Sequence, residues 1–295
     1  MLRLYILCFI FVDAARVRDV FVSPFTGVQY TGIRSIGKGT VGYVVLATAE
    51  SEEPKVVVKC DTSRSLDYEG DFLQRFPVTR SSLLDRVIWK ERNTRWFDIS
   101  PAHCLVLTLF GPTMQDLRKL NERKWDWDVL ADLGVQLTNI VAEFHAGGYA
   151  HNDFHPGNIA VKNATALPGD HDRFDIVPLD LGDMQPLTPL SIRNRDIRQV
   201  MCTIQYLFEG DSKLYAEKRT PIERIRAAHM SSDVPATFKY LVEYAYGLDD
   251  ESSIDYRWIS DQFASLSVSP NIREYLEPSM LKHVNIIAWF WSLFQ

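Results

Sequence analysis

The sequence predicts an α+β fold with two lobes, a small strand-rich lobe followed by a larger, mainly helical one. Up to residue 110, apolar and β-branched residues alternate over residues 30–48, 55–60 and 103–110, which is typical of strands. Beyond Gly111, apolar residues recur in steps of three and four, as they do on one face of a helix. The chain has 295 residues, of which 46% are hydrophobic, so it is long enough to bury the cores that both lobes need.

The strand-rich lobe is predicted at residues 26–110. Residues 30–48 form two strands that are joined by a glycine-rich turn, and Lys55–Cys60 forms a third. A short helix is expected at residues 66–76, and a later strand at His103–Phe110.

The helical lobe is predicted at residues 111–270. Its first helix ends near Gly147, and its apolar stripe consists of Leu130, Leu133, Leu137, Ile140 and Phe144. Two more helices are expected, one from Ile197 to Gly210 and one around residues 238–248. Short strands follow His151–Asn158 and precede Asp180.

The charge balance argues against a nucleic-acid-binding protein. The formal net charge is −6 and the sequence pI is about 5.7, so the chain lacks the basic surface that phosphate backbones require. We therefore expect no nucleic-acid partner, and we expect a monomer.

Both termini are apolar. Arg3 is followed by the apolar run Leu4–Val12 and then by Ala14, which is the layout of a secretory signal peptide at residues 1–14. A buried first strand is the alternative. The signal peptide predicts a secreted or secretory-pathway protein, and the alternative is a cytoplasmic one. The C-terminal extension at residues 271–295 has an apolar run much shorter than the ~20 residues that cross a bilayer. We therefore expect it to pack on the domain, which disfavours a membrane partner, and the alternative is a segment that binds a membrane surface or a protein partner.

The cysteines give no sign of a disulfide scaffold. Cys8 would leave with the signal peptide, and Cys60, Cys104 and Cys202 would remain. This odd number in apolar contexts predicts packed thiols.

Three glycines lie between the first two predicted strands. Gly37, Gly39 and Gly42 have the spacing of a G-x-G-x-x-G motif. A position between two strands disfavours a dinucleotide fold and favours a flap whose backbone covers phosphates, with Val44 in the same nucleotide site. The alternative is an ordinary tight hairpin.

Lys59 ends an apolar strand, where a buried ammonium requires an anion. Glu69 on the following helix is the favoured partner, and Asp67 is a weaker one. Such a pair is suited to hold the α- and β-phosphates of a nucleotide. The alternative is a lysine that extends from the strand end to solvent.

The stretch HNDFHPGN, His151–Asn158, concentrates polar groups in a short loop. Asp153 is suited to orient a hydroxyl and accept its proton, whereas Asn158 and Asp180 supply the hard oxygen ligands that Mg²⁺ prefers. His155 is either a cation that faces a phosphate or a hydrogen-bonded surface histidine. His151 is expected to bond the loop backbone.

Taken in order, these motifs resemble those of a protein kinase. Gly111–Leu117 is similar to the Gly-Pro-Ser-Leu-Glu-Asp-Leu element of casein kinase I, and Val234–Leu266 is similar to a late segment of the same family. The resemblance covers residues 30–266, and tau-tubulin and vaccinia-related kinases share this branch.

The resemblance implies a two-lobed protein-kinase-like fold and phosphorylation of protein Ser or Thr residues with ATP and Mg²⁺. By position, Asp196 is implied to hold the loop backbone, and Leu107 to be the gatekeeper. The implied catalytic residues are Lys59, Glu69, Asp153 and His155; the implied metal ligands are Asn158 and Asp180; the implied ATP-binding residues are Gly37, Gly39, Gly42, Val44, Lys59, Leu107, Leu109 and Phe110.

The sequence also departs from the family pattern. Asn152 replaces the usual arginine, and His155 replaces the usual lysine. The activation and peptide-docking segment between Asp180 and Asp196 is shortened. Two alternatives therefore stay open. One is a pseudokinase that binds ATP or a partner without turnover. The other is a small-molecule kinase, because the H-x-D-x-H-x-G-N pattern resembles aminoglycoside- and choline-kinase-like enzymes.

Overall fold

The structure is a computed structural model, and it describes residues 20–38, 42–49, 55–61, 65–89, 102–120, 125–162, 175–188, 191–210, 230–249 and 252–267. The expected signal peptide, Gly39 and the expected C-terminal extension at residues 271–295 lie outside the described residues. The chain divides into two compact units. The first precedes Phe110, apart from residues 76–79, and the second consists of residues 76–79 and of the chain from Phe110 onward.

The first unit is a closed barrel of antiparallel strands with one helix. The strands follow the order β1-β2-β3-β4-β6-β5 around the barrel. The described elements of this unit are β1 (Val20–Val22), β2 (Gln29–Lys38), β3 (Gly42–Ala49), β4 (Lys55–Asp61), α1 (Ser65–Arg75), β5 (Leu83–Trp89) and β6 (Ala102–Thr108).

Alternating burial along the strands produces the barrel core. In β4, Val56, Val58 and Cys60 are buried, while Val57 and Lys59 are only partly so, because successive side chains of a strand point to opposite faces. Each fully buried valine or leucine contributes about 1.5–3 kcal/mol. The buried core cluster consists of Phe21, Tyr30, Ala47, Val56, Val58, Cys60, Val87, Cys104 and Val106.

The core contains a disulfide that we did not expect from the sequence. Cys60 on β4 and Cys104 on β6 lie directly opposite each other, with Cα atoms 4.2 Å apart, and they form a disulfide bond. The expectation of packed thiols is therefore wrong for these two residues. The sequence shows each cysteine in an apolar strand, but it does not show the register that makes them neighbours. Cys202 is buried and keeps its thiol, as expected.

The second unit is mainly helical. Its described elements are α2 (Met114–Leu120), α3 (Trp127–Ala146), β7 (Tyr149–Ala150), β8 (Ile159–Val161), β9 (Ile176–Pro178), β10 (Gln185–Pro186), α4 (Ser191–Glu209), α5 (Ala236–Gly247) and α6 (Tyr256–Ala264). Short 3-10 turns lie at Pro156–Asn158 and Leu181–Asp183. Among the described helices, none has the length and hydropathy that crossing a bilayer demands.

Helix α3 is the centre of the second unit, and the apolar stripe predicted for it is confirmed. Every residue of the stripe is buried, and the helix ends just before Gly147. It packs on α4 and on α6. The approach to α6 requires Gly134, because a Cβ there would lie 2.3 Å from Cδ1 of Phe263. The predicted α+β class is confirmed, with a strand-rich first unit and a mainly helical second one.

Two short strand pairs position the loops of interest. Strands β8 and β9 are antiparallel, with Ile159 opposite Pro178, so Asn158 and Asp180 lie at the same end of this pair. Strands β7 and β10 are also antiparallel, with Gln185 opposite Ala150. The loop His151–Asn158 therefore begins at one strand pair and ends at the other.

Candidate active site

Lysine and glutamate form an ion pair in the first unit. Nζ of Lys59 lies 3.0 Å from Oε1 and 2.8 Å from Oε2 of Glu69. The Glu69 side chain is 2% exposed and that of Lys59 is 20% exposed, so the pair is largely shielded from solvent, where a charge is costly without an opposite partner. Asp67 is exposed, and it is Glu69 that lies against the lysine.

The glycine-rich motif is described in part. Gly37 pairs with Val44 across β2 and β3, and Gly42 pairs with Asp61 across β3 and β4, while Gly39 lies outside the described residues. Val44 is half-buried and lies directly opposite Lys59. Strand β3 therefore pairs on one side with the strand that begins the glycine-rich hairpin and on the other side with the strand that carries Lys59.

Three of the implied ATP-binding residues, Leu107, Leu109 and Phe110, lie on β6 or directly after it. Leu107 lies opposite Val57 of β4 and Leu83 of β5. Leu109 and Phe110 come after the end of the strand, and both are half-buried.

In the second unit, one buried carboxylate holds the start of the loop. Asp196 is fully buried, and it accepts hydrogen bonds from the backbone N–H groups of His151 (2.7 Å) and Asn152 (2.8 Å). A carboxylate that accepts backbone hydrogen bonds in a dry interior fixes the backbone firmly. This is the arrangement that the kinase resemblance implies for Asp196.

A histidine and a tyrosine extend this network. Nε2 of His145 lies 3.1 Å from Oδ2 of Asp196, and Nδ1 lies 2.6 Å from the Tyr256 hydroxyl. Since a carboxylate only accepts, Nε2 of His145 donates. Burial raises the pKa of Tyr256 to about 12, so its hydroxyl keeps its proton, and with the singly protonated ring that hydroxyl donates to Nδ1. The sequence had no local signal for this link, because its members come from α3, α4 and α6.

His151 has a structural role, as expected. It is fully buried, its Nε2–H donates to the Leu179 carbonyl at 3.0 Å, and its Nδ1 accepts from the Asp153 N–H at 3.3 Å. Burial lowers the pKa of His151, so the ring stays neutral at pH 7. It ties the loop to the chain that leads to Asp180.

Asp153 is a half-exposed carboxylate held by its neighbours. Its side chain is 44% exposed, and Oδ2 lies 3.5 Å from Nε2 of His155 and 3.1 Å from Nδ2 of Asn158. The His155 ring, above all, lowers the pKa of Asp153, against the opposing effect of burial. Asp153 is therefore ionised at neutral pH and open to solvent, as a proton-accepting group must be.

His155 faces Asp153 through a defined ring nitrogen. Its Nδ1 accepts from the Gly157 N–H at 3.0 Å, so Nδ1 carries no proton and Nε2–H points to the carboxylate. Gly157 permits this contact, because a Cβ there would lie 2.8 Å from Cε1 of His155. Of the two alternatives from the sequence, this geometry favours the hydrogen-bonded histidine.

Asn158 and Asp180 are the candidate ligands for a metal ion. The amide nitrogen of Asn158 donates twice to Asp153, which leaves the amide oxygen for a cation. Asp180 is exposed and has a left-handed backbone, with φ of 56°. Within the described residues there is no group of three or more His, Cys, Asp or Glu side chains that would hold a metal. An amide oxygen and a carboxylate nevertheless fit Mg²⁺, which takes its other ligands from phosphates and water.

The segment between Asp180 and Asp196, which corresponds to the activation and peptide-docking segment of the resembled kinases, is short in the structure. After the turn at Leu181–Asp183, β10 pairs with β7, and the Leu187 N–H donates to the Gly148 carbonyl at 3.1 Å. Residues 187–190 alone separate β10 from α4.

The comparisons with known proteins agree with this geometry. Residues 98–218 match the family model described as the ABC1 atypical kinase-like domain. The chain is 31% identical over 142 residues to "Serine/threonine-protein kinase AFC1" of Arabidopsis thaliana; this match covers 46% of the chain and only 30% of that kinase. Its fold is similar to that in "Structure of vaccinia related kinase 3", with a TM-score of 0.64 and 13% identity, over 86% of this chain and 91% of that one.

The family model, the sequence relative and the solved structure all lead to kinases. None of the three distinguishes a casein-kinase-I-like protein from other kinases. The chain has a protein-kinase-like fold, and its residues 98–218 are similar to an atypical kinase-like domain.

Proposed function

We propose that the chain is an ATP-dependent protein kinase that transfers the γ-phosphoryl group of ATP to a Ser or Thr hydroxyl. One observation carries the proposal. The ionised, half-exposed Asp153 stands on a loop whose backbone is held by the buried Asp196. Such a fixed carboxylate is suited to orient a hydroxyl and to accept its proton.

The reaction divides among the residues as follows. Asp153 accepts the proton of the acceptor hydroxyl while the hydroxyl oxygen forms a bond to the γ-phosphorus. The bond between that phosphorus and the β–γ bridging oxygen breaks, and ADP leaves. Lys59, kept in place by Glu69, binds the α- and β-phosphates. Asn158 and Asp180 would hold Mg²⁺, which neutralises charge on the phosphates.

The acceptor of the proposed reaction is a protein, as the resemblance to casein kinase I and the matched Arabidopsis kinase support. A small-molecule hydroxyl is the second candidate. One observation favours it, since residues 187–190 leave little chain between β10 and α4 for docking a peptide. Casein is the first acceptor to test.

The test is phosphoryl transfer from ATP to casein by the full chain and by Asp153→Asn. We expect the variant to lose at least about 10²-fold in kcat, because it lacks the proton acceptor, and to bind ATP as the wild type does. Asp261→Asn, an exposed acid on α6, is the matched control. Transfer that survives Asp153→Asn contradicts the assignment, and ATP binding without transfer to any hydroxyl favours the pseudokinase.

We also propose that the chain acts in the secretory pathway or outside the cell. The buried Cys60–Cys104 disulfide supports this, because disulfides persist in oxidising compartments and are rare in the cytosol. Finding an intact Met1 on the protein from its native cell would contradict a cleaved signal peptide.

A further inference from the structure

The position before Asp153 is bound to α4 by three hydrogen bonds. Asn152 has a left-handed backbone, with φ of 68°, which asparagine adopts more readily than most residues. Its N–H donates to Asp196, its carbonyl accepts from Nε2 of Gln199 at 3.2 Å, and its side-chain oxygen accepts from NH1 of Arg195 at 2.9 Å. The loop therefore uses its asparagine to hold the Arg195 guanidinium against the residue that precedes Asp153 in the chain.

Arg195 and the next residue of α4, Asp196, differ in their exposure to solvent. Asp196 is fully buried, whereas Arg195 is exposed. The amide oxygen of Asn152 is neutral, so it orients the guanidinium without cancelling its charge. Among the described residues, Arg195 has no carboxylate within ion-pair distance. One N–H is used by Asn152, and a guanidinium has five.

The chemistry of this group selects an anion. A guanidinium presents a planar fork of donors that matches a carboxylate or a phosphate. Acids lie around the loop: Asp153 is half-exposed, and Asp180 and Asp183 are exposed. They would repel an acidic acceptor, and Arg195 offsets that repulsion. An anion bound here would lie on the molecule whose hydroxyl approaches Asp153, one residue along the chain from Asn152.

We propose that Arg195, oriented by Asn152, binds a carboxylate or phosphate group of the acceptor and so selects acidic acceptors. The proposal rests on the proposed kinase function for the meaning of "acceptor", but the binding itself does not require turnover. It also gives Asn152 a function in a position where the resembled family has an arginine, because the cation is supplied from α4 instead.

The test uses casein as an acidic acceptor and myelin basic protein as a basic one. Arg195→Met removes the charge and keeps much of the side-chain volume. We expect the KM for casein to rise at least about tenfold, since charge-assisted hydrogen bonds are worth about 1.5–3 kcal/mol. The KM for ATP and the kinetics with the basic protein should stay within about twofold.

Two further variants separate orientation from charge. Asn152→Gly keeps the left-handed backbone and removes the amide, so we expect a smaller rise in the KM for casein, about threefold. Arg257→Met, which removes an exposed arginine from α6, is the matched control and should change nothing. An unchanged KM for casein in Arg195→Met, or equal changes with both acceptors, would overturn the proposal.

Equilibrium binding of fluorescently labelled casein keeps the two proposals distinguishable. Suppose that the wild type binds casein but does not phosphorylate it, and that Arg195→Met, unlike Arg257→Met, binds casein at least about tenfold more weakly than the wild type. In that case the anion site stands and only the kinase function fails. If the wild type phosphorylates casein, and Arg195→Met binds casein as tightly as the wild type does, the kinase function stands and the anion site is wrong. A chain that neither binds nor phosphorylates casein overturns the anion site and removes the support for a casein-kinase-like acceptor.

Discussion

At the scale of single residues, His155 shows how one substitution changes the role of a position. The resembled kinases have a lysine there, which acts as a point charge toward the phosphate. In this chain Nδ1 of His155 accepts from Gly157, and Nε2–H is directed at Asp153. The histidine thus lowers the pKa of Asp153 and positions its carboxylate. The sequence predicted that His155 belongs to the site, but the two roles open to it are decided by the Gly157 contact, which no local pattern reveals.

Replacing His155 by alanine should therefore affect Asp153 before anything else. The pKa of Asp153 is lowered mainly by the histidine, so we expect it to rise toward the ordinary range of an aspartate carboxyl in His155→Ala. We also expect kcat to fall roughly tenfold, because the carboxylate loses a positioning contact, while ATP binding stays unchanged. Carboxyl carbon NMR titration measures the first effect, and an unaltered titration of Asp153 would show that the ring does not act on it.

The sign of the pH effect follows from the lowered pKa. A carboxyl group whose pKa is lower in the folded chain stabilises the fold above its unfolded pKa, and that stability is lost as the pH falls through the folded pKa. The His155 contact therefore favours the folded state at neutral pH and ceases to do so in acid.

At the scale of elements, periodicity predicted the regular structure well. The five-residue stripe of α3 is buried as expected, and β4 alternates as expected. Strand β5 (Leu83–Trp89) was missed, because Asp85 and Arg86 interrupt its apolar residues. Both side chains have partners within the first unit, where Arg86 forms an ion pair with Asp71 and Asp85 accepts a hydrogen bond from the Tyr30 hydroxyl. Tertiary partners of this kind are invisible to a local pattern.

The disulfide belongs to the same scale, since it depends on the register of β4 against β6. We expect alkylation of the denatured, unreduced protein to label Cys202 and to leave Cys60 and Cys104 unlabelled, because of these three only Cys202 keeps its thiol. Mass spectrometry of the labelled peptides measures this. Labelling at Cys60 and Cys104 in protein taken from its native cell would remove the support for an oxidising compartment.

At the scale of the whole molecule, each unit contributes a different part of the proposed chemistry. The first unit holds the Lys59–Glu69 pair, and the second holds the loop with Asp153 and Asn158 and the acid at Asp180. The order of these motifs along the sequence sufficed to predict a kinase-like fold, because each motif needs a particular strand or loop. The Asn152–Arg195 link and the His145–Tyr256 link were beyond the sequence, since helices far apart in the chain supply their partners.

The most direct test of the account is calorimetric binding of ATP with and without Mg²⁺, by the wild type and by Asp180→Asn. We expect the wild type to bind ATP at least about tenfold more tightly with Mg²⁺, and the variant to lose that difference, because the carboxylate is a proposed ligand of the metal. Without Mg²⁺ the two proteins should bind alike. A wild type that binds ATP equally with and without Mg²⁺, or an Asp180→Asn variant that keeps the full metal dependence, would contradict the proposed site.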